Sequence, residues 1–299
     1  MNPTQSTALK TGLSPERREL ILRVCNGLAA YAAAWLLVFA FCQLAAGLVS
    51  ENVFNIPAKL YSCYIVYSPR FRSWTSNAII VTFMAGPVTS LFIAFFAHLA
   101  GRLISARRSV AKEFLMWLRI HALTFFFGAL VSGAITSYGT GYAIKAMLGS
   151  SIVARMIVGF LGLICLIVVS IWLAKKYMNV IFSRRALSEN ASVNQMLASA
   201  AGSWLAGCFI IWLTVFLPVK LRMIPLQNVV MFGISFLPTL IFILLFKRIR
   251  NRSITKNYSN ARGESRKPLA PVRPAPVMYG TLVMLAITWY FVFKNGLDI

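Results

Sequence analysis

Long apolar runs alternate with short polar ones along this chain, and the apolar runs are continuous rather than periodic. Seven of them matter, near residues 25–49, 77–101, 114–137, 152–174, 195–218, 228–246 and 277–293. Roughly 20 apolar residues in helical form span the ~30 Å hydrocarbon core of a bilayer. A lone apolar segment in lipid must satisfy its own backbone hydrogen bonds, so helices are predicted and barrel strands are not. The predicted fold class is therefore all-α: a polytopic integral membrane protein of about seven transmembrane helices. Between the first two runs lies ENVFNIPAKLYSCYIVYSPRFRSWTS (51–76), where aromatic residues mix with positive charge. Such residues favour the headgroup layer, so an interfacial or re-entrant segment is predicted there.

The runs also repeat. FGALVSGAITSY (127–138) returns as YGTLVMLAITWY (279–290), with seven of the twelve positions identical. Asn77 stands ten residues before Pro87 in the second run, and Asn228 ten before Pro238 in the sixth. IPAKL (56–60) matches LPVKL (217–221), and AAWLL (33–37) matches GSWLA (202–206), all in the same order. Two three-helix units are expected, 25–137 and 195–299. They are joined by a linker helix with its flanking loops (138–194) and preceded by a tail, 1–24. One extra helix restores direction, so both units run parallel. This 3+1+3 plan resembles, in architecture alone, the sugar transporters called SWEETs, which implies parallel repeats about an axis along the membrane normal.

Composition agrees, with 59% apolar and 12% charged residues. The net charge of +23 would suggest nucleic acid as a partner, but its placement argues for topology. With the N-terminus in the cytoplasm, 22 of the 30 basic residues fall on the cytoplasmic side, nine of them between Lys247 and Arg273. That is the distribution the positive-inside rule requires. It puts the N-terminus inside and the C-terminus outside, in the plasma (inner) membrane, with no nucleic-acid partner. The basic loop 247–276 is expected to be mobile and to meet anionic lipid headgroups at the cytoplasmic face. The five cysteines show no metal spacing and read as small buried hydrophobes.

The chemistry on offer is sparse. Pro87 and Pro238 interrupt matching helices, a pointer to a midplane site. With Asn77 and Asn228, and with the repeated Thr136, Tyr138, Thr288 and Tyr290, they form a candidate substrate-binding set. His98, Arg119 and His121 form a candidate cationic mouth for an anion or headgroup, since ionisable residues within a bilayer are functional candidates. Ala198, Gly202 and Ala206, four apart, form a small-residue stripe for helix packing. MAGPVTSLF (84–92) resembles the Gly-Pro helix of site-2-type proteases, but HExxH is absent, so no metal, cofactor or catalytic residue is expected. The seven carboxylates fall in loops or at span ends, which leaves no group for a coupled proton or sodium ion. The expectation is a non-enzymatic permease for a small solute or lipid headgroup. The alternative is a structural or accessory subunit that packs on a membrane partner or a second copy and binds anionic lipid. A degenerate intramembrane enzyme is the third reading.

Overall fold

A computed structural model describes residues 15–68, 74–104, 110–181, 191–220, 224–258 and 274–299. Within them the chain forms helices α1 (Pro15–Phe54), α2 (Ser76–Leu103), α3 (Val110–Thr136), α4 (Thr140–Leu148), α5 (Ile152–Ile181), α6 (Ala191–Ile211), α7 (Leu226–Ile234), α8 (Leu237–Tyr258) and α9 (Pro276–Phe293). Strands β1 (Ala58–Leu60), β2 (Ile65–Tyr67) and β3 (Leu297–Asp298) make one small sheet. Among the described residues, six stretches are long and apolar enough to cross a membrane: 17–54, 76–103, 110–136, 152–177, 226–246 and 276–293. The chain is thus a multi-pass helical membrane protein. The expected fifth span is a shorter apolar helix, Ala200–Phe216.

The centre of the bundle is α1. Ala29 to Ala34 and Leu36 have no exposed surface, as expected of a helix that is apolar all round. Its alanines let four helices approach: α2, α3, α6 and α9 all pack on it. Against α6 the fit is closest where side chains are smallest. Gly207 lies under the Tyr31 ring and Gly27 faces Ser203, while Ser203 Oγ donates to the Val24 carbonyl, 3.1 Å away. Helices α1, α2 and α3 pack mutually, α5 packs on α3, and α8 packs mainly on α5. At 40 residues, α1 is about 60 Å long at ~1.5 Å per residue, so it projects beyond the bilayer.

Four elements depart from the sequence reading. Within the 51–76 connection, residues 58–67 form a sheeted cap: β1 pairs antiparallel with β2 on one edge and with β3 on the other; residues 69–73 lie outside the described residues. The linker contains the short helix α4, reached by a sharp turn in which Ser137 and Gly139 both have positive φ, 59° and 53°. There Gly133 and Gly141 touch backbone to backbone, and any Cβ at Gly133 would stand 2.7 Å from the Gly141 nitrogen. The sixth span is broken into α7 and α8. Finally, α8 runs on through the start of the basic loop to Tyr258. The rest of that loop, 259–273, and the tail before residue 15 lie outside the described residues.

Candidate functional site

The break between α7 and α8 sits at Ser235–Phe236. Ser235 closes α7, its N–H reaching the Met231 carbonyl at 3.0 Å, and Leu240 N–H reaches Phe236 at 2.9 Å to open α8. Pro238 is the second residue of α8. A proline in the first turn gives up a donor that would be unpaired anyway. Pro238 therefore opens the second half of a span that is interrupted just before it.

A small cavity lies on each side of the break. One, between α1, α3 and α7, is lined by Trp35, Val38, Phe39, His121, Thr124, Phe125, Asn228, Met231 and Ser235. The other, between α3, α5, α6 and α8, is lined by Trp117, Ile120, Ser170, Leu173, Ala174, Tyr177, Ala200, Pro238, Thr239 and Phe242. Each has a volume of ≈ 20 Å³, room for a water-sized occupant. Tyr31, wholly buried, touches one wall of each: its ring lies edge-on to His121 at 4.5 Å and to Trp117 at 4.8 Å. Its hydroxyl pairs with Cys208 Sγ at 3.3 Å.

The wall of the first cavity is mainly apolar, with four polar side chains set in it: His121, Thr124, Asn228 and Ser235. Ser235 Oγ donates to the Phe232 carbonyl at 2.6 Å. The Asn228 amide donates to the Cys63 carbonyl in the cap, which leaves its own oxygen as an acceptor. His121 Nε2 is buried with no partner. The cap closes the end of this region. Trp289 Nε1 donates to the Ser62 carbonyl at 2.9 Å and Ser62 Oγ donates to Val215 at 3.2 Å, where α6 ends in the wide π-turn Trp212–Phe216. Burial in the cap pushes the Cys63 thiol up to about 12 and raises Tyr67 above the usual phenol range.

The residues singled out in the sequence separate into groups. Asn228 lines the first cavity and Pro238 the second. Pro87 is buried in α2, where Gly86 abuts the Cys42 carbonyl of α1, and it lines neither. Asn77 is exposed, and the cap of α2 is Thr75, whose side chain accepts from Ala78 N–H at 3.2 Å. Thr136 is buried and donates to its own helix at the Ser132 carbonyl, 2.8 Å away. Tyr138, Thr288 and Tyr290 are exposed, and none of them lines either cavity.

His98 and Arg119 come together, with Arg119 Nη1 2.8 Å from His98 Nδ1. His121 is not with them. Two residues on a helix are about 200° apart at ~3.6 residues per turn, so Arg119 and His121 serve opposite faces of α3. Beside the predicted small-residue stripe rather than within it, Ser203 and Gly207 meet α1. Of the stripe itself, Gly202 touches Val24 of α1, while Ala198 is exposed and Ala206 half-buried.

Two contributors escaped the sequence reading. Tyr31 sits in a run of alanines with no motif to mark it. Glu113, at the start of α3, faces Gly27 of α1 from a half-buried position. The seven-residue spacing of Glu113 and Ile120 could have placed it on an inward face. Comparison with known proteins finds no family model, no curated protein and no solved structure that matches the chain.

Proposed function

We propose that the protein is a carrier for a small polar solute or lipid headgroup, built on seven spans in a 3+1+3 plan, with the N-terminus in the cytoplasm and the C-terminus outside the plasma membrane. The observation that carries this reading is the broken helix α7–α8 with a cavity on either side and Tyr31 between them. Discontinuous helices in membrane proteins free backbone groups for a solute, and they occur where the chain lines a cavity. Asn228, His121, Thr124 and Ser235 converge on the outer of the two cavities, which suits a small hydrogen-bonding solute. Neither cavity admits more than a water-sized group, so transport requires α7 and α8 to part in turn from α1 and α3.

Parity supports the seventh span. β1 pairs with β3, so residues 60 and 297 lie on one side of the membrane. The long spans between them are α2, α3, α5, α7–α8 and α9, which is an odd number of crossings. A crossing by α6 makes the number even.

The test needs no known solute. In a protein freed of its native cysteines, Asn228→Cys and Thr239→Cys are treated with a membrane-impermeant maleimide from each side of sealed vesicles. A carrier gives labelling of position 228 from the cap side and of position 239 from the other. Protection of both from both sides would overturn the reading. A second reading, an accessory subunit, is favoured by the close packing of Gly86, next to the buried Pro87, against α1, and it gives that protected pattern.

A further inference from the structure

We infer that the groove between α2 and α5, floored by α3, binds the phosphodiester of one anionic phospholipid through Arg119. The inference is independent of the carrier reading, because this groove opens to lipid and neither cavity lies in it.

Arg119 is 8% exposed. It is the tenth residue of α3, so about 13 Å from the helix start at ~1.5 Å per residue. A cation at that depth needs a partner. Among the described residues its partners are uncharged: Nη1 meets His98 Nδ1 at 2.8 Å, Nη2 meets Met116 Sδ at 3.2 Å, and the guanidinium lies over the Trp172 ring at 4.9 Å. The described ion pairs are elsewhere, Arg23–Glu19 and Lys59–Asp298. Arg119 Nε is buried and unpaired.

Donor accounting then identifies the ligand. A guanidinium only donates, so His98 Nδ1 accepts and the ring proton sits on Nε2, a second donor. Lys176 lies 5.7 Å from the Trp172 ring, and the charges of Arg119, Arg102 and Lys176 all act on His98. Among the described residues the cluster is made of donors and positive charge with no side-chain acceptor to spare. A phosphodiester is all acceptor and negative, and guanidinium is the side chain best shaped for it.

The walls say where it comes from. Both α2 and α5 pack on α3. On the faces of His98 and Trp172, one and two or three turns further along, stand Phe95, Leu91, Val168 and Leu161, all exposed. They offer an apolar track in line with the cation, which a lipid with acyl chains uses and a free phosphate does not.

The experiment is native mass spectrometry of the purified full chain released from nanodiscs of phosphatidylcholine with or without phosphatidylglycerol. The wild type should retain one phosphatidylglycerol and no phosphatidylcholine, and inorganic phosphate should not displace it. Arg119→Gln should reduce retention at least about tenfold, the loss of one charged hydrogen-bonded contact. Lys176→Gln, at the exposed rim, should reduce it less and leaves the core untouched if Arg119→Gln fails to fold. Arg248→Gln on α8 should change nothing. Equal retention of both lipids by the wild type, undiminished retention in both Arg119→Gln and Lys176→Gln, or displacement by inorganic phosphate would each overturn the assignment.

Discussion

Trp289 Nε1 on the last helix donates to the carbonyl oxygen of Ser62 in the first connection, 2.9 Å away. With the Lys59–Asp298 pair at 3.4 Å, this bond fastens the C-terminal segment to the cap. It fixes which parts of the chain share a side of the membrane. Lys59→Cys and Asp298→Cys should therefore both react with an impermeant maleimide from one side of sealed vesicles, and the double variant should cross-link on oxidation. A tag at the N-terminus should be reached only from the other side. Labelling of positions 59 and 298 from opposite sides would mean that the sheet does not form and that the parity argument for α6 fails.

The same bond has an energetic consequence. Trp289→Phe keeps the ring packed against Phe39 and Phe293 but strips a donor from a buried carbonyl. An unsatisfied buried acceptor costs about 1–3 kcal/mol. Thermal unfolding in detergent should show a lower Tm for Trp289→Phe, while Thr288→Ser beside it, exposed, should leave Tm unchanged.

Glycine spacing on α6 predicts a sharper contrast. A Cβ at Gly207 would run into the Tyr31 ring, whereas a Cβ at Gly280 of α9 meets nothing within 4 Å. Gly207→Val should cost about 1–3 kcal/mol by overpacking. Gly280→Ala should be neutral or stabilising by up to about 1 kcal/mol, since an exposed helical glycine gains from alanine. Equal Tm shifts for the two variants would contradict the α1–α6 seam.

Burial of the cap predicts a pH response. Because desolvation pushes the Cys63 thiol up to about 12, its thiolate fraction at pH 9 is on the order of one in a thousand, and only the thiolate reacts. An ordinary exposed cysteine, with a pKa near ~8.5, gains most of its reactivity between pH 7 and 9. In a variant that keeps only Cys63, alkylation should stay slow across that range and become fast when Trp289→Phe loosens the cap. Rapid alkylation of the intact cap at pH 8 would show that it is open.

Length and apolarity decide membrane helices one at a time, so the runs at 77–101, 114–137, 152–174 and 277–293 were legible in the chain itself. What each helix faces depends on its neighbours. The approach of Arg119 to His98 could be foreseen because both fall near the same end of adjacent helices. The separation of His121 follows from the 3.6-residue turn but is hidden when two residues are read as one cluster. Pro238 reads like Pro87 by position. Yet one opens a helix and the other is packed inside one, because Ser235 and Phe236 break the chain a turn earlier. The cap was illegible as a sheet because its third strand comes from residues 297–298, more than 200 positions away. Tyr31 left no mark at all, since a lone aromatic among alanines acquires its place only when α3 and α6 close around it.

Tyr31 also gives the most direct trial of how the two cavities relate. Its ring touches His121 on one side and Trp117 on the other, and removing it leaves a void between two spaces that each have room for a water-sized occupant. Tyr31→Phe keeps the ring and loses only the hydroxyl contact with Cys208, so it should retain a closed bundle at a cost of about 1 kcal/mol. Tyr31→Ala should cost about 3–5 kcal/mol as a large-to-small core change. If the cavities are the two ends of one route, it should also admit small polar solutes in a liposome swelling assay where the wild type and Tyr31→Phe do not. A Tyr31→Ala protein that folds, loses stability by that amount and still excludes glycerol would show that the two cavities are separate packing faults rather than parts of a path.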